Sequence, residues 1–241
     1  MSLRDKLKKA LKSHEKSYDS TCSREKLGQI FTTASEDALD EFYNYFALFC
    51  RGYNILDETH ENFFLAEVKA EVGTDLISVR ESLNYDVVGL EDTFKYYSNN
   101  HSEANTDGRT DSHSADQPAI GAKAYGDRLG NAPATTPYED ADGYVFRGGG
   151  FFQLTGRDNY QAVTDVTVDV TGMALSAEDI ANRITEVGAG VLSAMGYWSM
   201  NDMQNCDTID NCTAIINYYT DTYEEREEYY EEIAAIPAEG N

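Results

Sequence analysis

Apolar residues recur at helical spacing along most of this 241-residue chain, and this periodicity constrains the fold more than any other feature. Leu39, Phe42, Phe46 and Phe49 follow a candidate N-cap, Ser35, at intervals of three or four residues. Similar stripes cover about residues 58–72, 120–129, 187–198 and 213–233. Strand-favouring residues are concentrated at 163–170, and the polar segment 98–118 predicts a long surface loop. The sequence therefore predicts a mainly α domain with minimal strand.

The charge is strongly acidic and unevenly distributed. The formal net charge is −24, yet residues 1–16 contain six of the 19 lysines and arginines. An acidic body repels the phosphate backbone, so the composition excludes nucleic acid as a partner. The acidity itself indicates high solubility or life in high salt, where ions screen self-repulsion.

The basic N-terminal segment predicts a short amphipathic helix, because Leu3, Leu7, Ala10 and Leu11 share one face. Such a helix docks on an acidic partner or a membrane surface, or packs on the body of the protein. We therefore predict an extension over residues 1–23 and one domain over residues 24–241. We expect no transmembrane segment, because no apolar run approaches about 18 residues, and no conventional signal peptide.

Metal and cofactor sites are not predicted. None of the four cysteines shows CxxC spacing, and His101 and His113 lie in the polar segment without metal-ligand spacing. Cys206 and Cys212 flank a short polar loop and either form a disulfide in an oxidising medium or remain free thiols.

A glycine-rich stretch marks the candidate cleft. Residues 147–150 read RGGG and allow close backbone approach, and Gln153, Thr155 and Asn159 follow as short hydrogen-bonding side chains. The stretch lacks the lysine of a phosphate-binding loop. This combination is typical of a polar cleft floor.

Three charged residues upstream and downstream complete the candidate site. Glu71 falls on the apolar stripe of the helix predicted over residues 58–72, where desolvation would suit a general acid, or it tilts outward at a frayed helix end. Glu81 follows in a predicted loop and would supply a second carboxylate. Arg226 lies on the inward stripe of the last predicted helix, together with Ile215 and Tyr219, and would need a carboxylate partner there.

Taken together, these segments resemble family 19 glycoside hydrolases, in particular the chitinase-like lysozyme domains of phage endolysins. The similarity spans about residues 24–233. Its blocks, in the order of the family, are LGQIF at 27–31, FLAEVKAE at 64–71, RESLNY at 80–85, AYGDRLGN at 124–131, DGYVFRGGG at 142–150, QLTGRDNY at 153–160, IN at 216–217 and ER at 225–226.

The resemblance implies a lysozyme-like helical glycoside hydrolase domain with a central substrate cleft and no cofactor. It implies an inverting mechanism on β-1,4-linked amino sugars, with Glu71 as general acid, Glu81 as base and Thr155 holding the nucleophilic water. Further residues would contact the glycan, which is peptidoglycan or a chitin-like polymer. They are Gln153, Asn159, Tyr85, Asn217 and Arg226.

Three departures from the family pattern bear on function. Ala70 stands where the family has histidine before the acid, Gly149 stands where it has an arginine, and Tyr218 and Tyr219 replace a glycine pair. We predict a phage-type peptidoglycan hydrolase, made in the host cytoplasm and acting on the bacterial cell wall, or carried in the virion with residues 1–16 contacting other virion proteins. The alternatives are a virion structural protein that keeps the fold with weak or no catalysis, and a chitinase.

Overall fold

The computed structural model describes residues 5–6 and 20–237. Helices account for most of this part of the chain. The α-helices are α1 Arg24–Ile30, α2 Glu36–Phe49, α3 Glu58–Val72, α4 Val87–Thr93, α5 Lys95–Ser98, α6 His101–Asp107, α7 Gln117–Tyr125, α8 Asp142–Val145, α9 Arg157–Thr171, α10 Ala177–Ala181, α11 Val187–Met200, α12 Ile209–Asn217 and α13 Tyr223–Ala234. Short 3₁₀ turns lie at Cys50–Tyr53, Tyr138–Asp140 and Met203–Asn205.

Side-chain caps fix where several helices begin. Ser35 accepts a hydrogen bond from the Ala38 amide at the start of α2, as predicted, and Asp57 does the same for α3. Ser176 and Asp179 form a capping box at α10. These caps satisfy amide groups that the first helical turn leaves without partners.

The prediction of a mainly α domain with minimal strand is confirmed. Between residues 20 and 237, extended pairing is limited to isolated bridges that join Arg80 to Gly149, Gly149 to Leu154 and Asp86 to Arg109. The strand tendency of residues 163–170 is overridden, because this segment lies inside α9. The hydroxyls of Thr164, Thr167 and Thr171 donate to carbonyl oxygens four residues earlier, which makes these residues compatible with a buried helix.

Two other predicted segments differ from the structure. The predicted loop 98–118 contains helix α6, which Tyr97 and Lys123 tie to the body through the Asp107 carboxylate. The single helix predicted over 213–233 is two helices, α12 and α13, separated by an exposed turn. Tyr219 in this turn is 93% exposed and Ile215 is 37% exposed, so neither lies on an inward face.

Three buried clusters divide the interior. The largest joins α1, α2, α3 and α11 around Phe42, Phe64 and Trp198. A second, around Leu90 and Tyr97, lies within residues 83–124. The third packs α9 and α10 against the segment that follows α8. The glycine-rich stretch lies next to the first and third clusters, because Phe151 and Phe152 enter the first and Phe146 enters the third.

The predicted N-terminal helix lies outside the described residues except for Asp5 and Lys6. The Lys6 ammonium contacts the Asp179 carboxylate at 3.0 Å and the Ala174 carbonyl at 2.7 Å. The division at residue 23 stays a prediction. None of the described helices is long and apolar enough to cross a membrane. Cys206 and Cys212 are free, buried thiols that hydrogen bond to each other.

Candidate active site

The glycine-rich stretch forms a small ladder with two neighbouring segments. The Glu81 amide donates to the Gly148 carbonyl at 2.8 Å, and the Gly150 amide donates to the Val79 carbonyl at 3.0 Å. On the other side, Gly149 and Leu154 exchange backbone hydrogen bonds of 3.1 and 2.7 Å. The ladder therefore holds the residue-81 segment against the turn that carries Gln153 and Thr155.

Three predicted site residues converge at Gly148. A Cβ atom on Gly148 would lie 3.2 Å from Gln153 Oε1, 3.3 Å from Thr155 Oγ1 and 3.5 Å from Glu81 Cβ. Any side chain at position 148 would therefore fill the space that these groups border. The turn is also conformationally unusual, because the exposed Gln153 adopts a left-handed backbone conformation with φ of 48°.

The Glu81 carboxylate is held at both oxygens. The Tyr125 hydroxyl donates to Oε1 at 2.7 Å, and the Gly148 amide donates to Oε2 at 3.3 Å. Burial, reinforced by the Glu81 charge, raises the pKa of Tyr125 and of Tyr85, so both hydroxyls stay protonated at neutral pH. Glu81 therefore presents a fixed hydrogen-bond acceptor at the centre of the ladder.

Thr155 is oriented by its own loop. Its hydroxyl donates to the Gln153 carbonyl at 2.9 Å, which commits the proton and leaves the oxygen lone pairs available. The Asn159 amide, in the first turn of α9, donates to the Thr155 carbonyl at 2.8 Å. The structure thus brings Asn159 to the same loop as Gln153 and Thr155.

Glu71 occupies the last turn of α3 and pairs with Arg226 of α13. The guanidinium contacts Glu71 Oε1 at 2.6 Å, and it also pairs with Glu67, one turn earlier on α3. Glu67 is fully buried and additionally accepts a hydrogen bond of 2.6 Å from Thr213. The Glu71 side chain is 19% exposed, which places it at the edge of the buried region.

Arg226 is the one cation that Glu67 and Glu71 share among the described residues. Burial raises the pKa of Glu67 and outweighs the opposing effect of Arg226 and Thr213. Burial lowers the pKa of Arg226, but the two carboxylates outweigh it and leave that pKa raised. The expected partner of the inward Arg226 is therefore present, and it is Glu67 as well as Glu71.

Phe152 joins the two halves of the site. Its ring packs edge-on against Phe64 of α3, with centroids 5.8 Å apart, and against Tyr197 of α11 at 5.9 Å. Burial and the Glu71 charge both raise the pKa of Tyr197. The loop that carries Gln153 and Thr155 is thus anchored beside the helix that carries Glu71.

Two predicted glycan-binding residues lie outside this convergence. The Tyr85 ring packs edge-on against Phe94, with ring centroids 5.2 Å apart. Asn217 is exposed at the end of α12, and within the described residues its side chain contacts none of the other predicted site residues. Tyr218 and Tyr219, which follow it, are 68% and 93% exposed.

Gly149, which stands where the family has an arginine, has no space for a side chain. A Cβ on Gly149 would lie 2.9 Å from Ile184 Cγ2 and 3.2 Å from the Tyr160 hydroxyl. Arg80, paired with Gly149 in the ladder, brings a guanidinium to this region and donates to the Val145 and Ala181 carbonyls. Burial raises the pKa of Tyr160 to about 12, although Arg80 and Arg147 oppose the shift.

Sequence reasoning missed Tyr125 and Glu67. Tyr125 lies within a block that matched the family, but no periodicity indicated that its hydroxyl reaches Glu81. Glu67 precedes Glu71 by one helical turn, and this spacing together with an inward arginine was the signal that could have identified it. No group of three or more potential metal ligands occurs in the described part of the chain.

One relative of known family supports the resemblance that the motifs indicated. No protein-family model matches the chain. The glycosyl hydrolase family 19 domain-containing protein of Haemophilus influenzae is 28% identical over 175 residues, which cover 73% of this chain and 78% of that protein. The crystal structure of a bacterial family 19 chitinase aligns with 92% of this chain and 98% of its own, at a TM-score of 0.47 and 15% identity. The resemblance to family 19 glycoside hydrolases is confirmed by the Haemophilus relative.

Proposed function

We propose that this chain, whose domain is similar to family 19 glycoside hydrolases, hydrolyses β-1,4 glycosidic bonds in the amino-sugar strands of bacterial peptidoglycan. The observation that carries the proposal is the convergence of Glu81, Gln153 and Thr155 around Gly148, on a loop anchored beside the helix that carries Glu71. The relative supports glycoside hydrolysis. Peptidoglycan as the substrate and inversion at the anomeric carbon are our own assignments.

In this mechanism Glu71 is the general acid. A protonated carboxyl donates its proton to the leaving glycosidic oxygen as the bond to the anomeric carbon breaks. Arg226 binds Oε1, and Oε2 has no hydrogen-bond partner among the described residues, so Oε2 is the oxygen available to carry the proton. Arg226 therefore acts as a positioning residue for the acid.

Glu81 is the general base in the same step. A water molecule between Glu81 and Thr155 would donate one hydrogen bond to each, because the Thr155 hydroxyl has already committed its own proton to Gln153. A lone pair of this water molecule then points away from Glu81 and Thr155, towards the sugar. Glu81 takes the proton as the water attacks, and the product carries the opposite anomeric configuration.

The remaining predicted residues would hold the glycan. Gln153 is exposed beside the water position and can bond a sugar hydroxyl or acetamido group. Asn159 fixes the Thr155 backbone, and Tyr85 and Asn217 offer an aromatic ring and an amide farther along the cleft. These assignments rest on the motif match together with the positions described above.

The test compares the wild-type protein with Glu71→Gln and Glu81→Gln on purified peptidoglycan sacculi and on chitin oligosaccharides. Each substitution keeps the side-chain volume and removes the proton transfer. We expect kcat to fall about 10³-fold in each variant, within the range of general acid and base catalysis. Glu36→Gln is the matched control, because Glu36 begins α2 on the surface and its side chain is 87% exposed.

Product analysis tests the mechanism separately. Proton NMR during early turnover should show the anomer opposite to that of the cleaved bond, and a retained configuration would exclude inversion. If the wild type clears neither substrate at any salt concentration, the alternative of a non-catalytic virion protein gains support. Cleavage of chitin alone would assign the chitinase activity instead.

We further propose that the protein is made in the host cytoplasm and reaches the cell wall either through a membrane lesion late in phage infection or as part of the virion. Residues 1–16 would then contact other virion proteins. Deleting them should lower the amount of protein in purified particles, and unchanged incorporation would argue against this role.

A further inference from the structure

Most cations in the described part of the domain are paired, and those without a carboxylate partner come from one segment of the chain. Between residues 20 and 237, five basic side chains form no ion pair with a described carboxylate. They are Arg80, Lys95, Arg109, Arg128 and Arg147. All five belong to the segment between residues 80 and 147, which contains Glu81. Within the described residues, the cations without a carboxylate partner thus come from the same segment of the chain as the candidate base.

Two of these cations are available to a ligand. Arg80, Arg109 and Arg147 donate to backbone carbonyls at distances of 2.6–3.2 Å. Lys95 has no partner for its ammonium among the described residues, and Arg128 makes one long contact of 3.5 Å with the Ala124 carbonyl. Both side chains are exposed.

Lys95 and Arg128 line the same pocket, which has a volume of about 580 Å³. Its wall also includes Tyr96, Asn99 and Lys123. Lys123 is already neutralised by Asp107 at 2.7 Å and Glu103 at 2.8 Å, and the Tyr96 hydroxyl donates to Glu103. The charge that the pocket offers to a ligand therefore comes from Lys95 and Arg128.

The pocket adjoins the segment that carries Tyr125, the residue that holds the candidate base. Ala124 and Gly126, which line it, flank Tyr125, and the Tyr125 hydroxyl binds Glu81. Phe94, next to Lys95, packs against Tyr125 with ring centroids 5.8 Å apart and against Tyr85 at 5.2 Å. A substituent of two or three residues on a sugar bound beside Glu81 would extend roughly 7–10 Å, at about 3.5 Å per extended residue.

We propose that this pocket binds a carboxylate of the peptide stem that branches from the peptidoglycan strand. The inference rests on the proposed function and names the feature by which the enzyme would prefer peptidoglycan to a neutral chitin-like glycan. An anionic polymer is repelled by an acidic protein, so its approach requires local positive charge. Lys95 and Arg128 supply that charge, and a neutral glycan gains nothing from it.

The binding test uses muramyl dipeptide and N-acetylglucosamine as probes, titrated by NMR into the full-length protein. We compare the wild type with the double variant Lys95→Gln and Arg128→Gln, and with Arg24→Gln as a charge-removal control on α1. The double variant should weaken binding of muramyl dipeptide about tenfold relative to the control. Equal affinity in all three proteins would overturn the assignment.

A kinetic ratio provides the second readout. For the double variant, kcat/KM on peptide-bearing strands divided by kcat/KM on amidase-stripped strands should fall about tenfold below the wild-type ratio. An unchanged ratio contradicts the pocket while leaving the proposed hydrolysis intact. If no strand is cut by any protein, the proposed function fails, and the binding titration alone decides the pocket.

Inorganic phosphate is a third probe that separates anion chemistries. It should compete with muramyl dipeptide only weakly, because a phosphate ion lacks the sugar that is held beside Glu81. Competition at equal concentration would show a general anion site and overturn the assignment to the peptide stem.

Discussion

The Thr155 hydroxyl is the residue-scale feature on which the proposed water position depends. We expect Thr155→Val to lower kcat about 100-fold with KM nearly unchanged, because the lost contact is made in the transition state rather than in substrate binding. Valine keeps the β-branched shape beside Gly148. Steady-state kinetics on the substrate identified with the wild type give both constants.

Thr110→Val is the matched control for this substitution. Thr110 lies in a loop and its hydroxyl bonds only the neighbouring Ser112, so its loss should leave both constants unchanged. A rise in KM with constant kcat in Thr155→Val would contradict a role in holding water and would assign the residue to glycan binding.

The sequence assigned individual residues to the candidate site only where a motif named them. Glu71, Glu81 and Thr155 were assigned by order and spacing within the matched blocks, and their catalytic roles stay predictions. Tyr125 and Glu67 were not, because a hydrogen bond across 44 residues and a fully buried carboxylate depend on tertiary packing. At Gly149 the sequence showed only that the arginine of the family is absent. The structure adds the steric reason, because a Cβ at this position would lie 2.9 Å from Ile184 Cγ2 and would leave no room for a long side chain.

At the scale of elements, the junction between α8 and α9 is held by a single arginine. Arg157 opens α9, pairs with Asp142 at 2.7 Å and with Glu178 at 2.8 Å, and lies over the Phe146 ring at 4.4 Å. Asp142 also accepts a hydrogen bond from the Ala132 amide. This junction fixes the position of α9 relative to the glycine-rich stretch between the two helices.

We expect Asp142→Asn to lower the free energy of unfolding by about 2 kcal/mol at pH 7, the usual size of a hydrogen-bonded charge pair. The hydrogen bond from Arg157 lowers the pKa of Asp142. A carboxylate whose pKa is lower in the folded than in the unfolded state stabilises the fold at any pH above its unfolded-state pKa. This stabilisation is lost as the pH falls through the folded-state pKa. The difference in free energy of unfolding between the wild type and Asp142→Asn, measured by urea titration, should therefore shrink towards pH 3.

Asp111→Asn, in an exposed loop, is the control for charge removal at both pH values. A deficit of the same size at pH 7 and pH 3 would mean that packing of the side chain, rather than its charge, holds the junction.

The elements themselves were largely predictable, and the exceptions share a cause. Helices with a strong apolar stripe and a cap, such as α2 and α3, begin close to the predicted residues. The α9 segment is rich in valine and threonine, and local preference was overridden by burial against α11. The break between α12 and α13 has no proline or glycine to mark it, so a continuous stripe concealed the turn.

For the whole molecule, self-repulsion is the dominant long-range electrostatic effect. The whole chain has a net charge of −24, and most cations in its described part are already paired, so added salt should screen repulsion more than it weakens attraction. We expect the melting temperature to rise by roughly 5 °C between 20 mM and 500 mM NaCl, equivalent to about 1–2 kcal/mol.

Calorimetry in NaCl and in choline chloride at equal ionic strength checks this expectation. Equal increases in the two salts would support screening. A melting temperature that is constant or falls with salt would show that the ion pairs outweigh the repulsion.

The link between Glu71 and Arg226 also sets an order of assembly on the ribosome. Arg226 follows Glu71 by 155 residues, so both carboxylates and the Thr155 loop leave the exit tunnel before the guanidinium is made. At usual translation rates the interval after Thr155 is on the order of ten seconds. During that interval the nascent domain holds the proposed acid without its cation, and the candidate site reaches its final charge only when α13 docks.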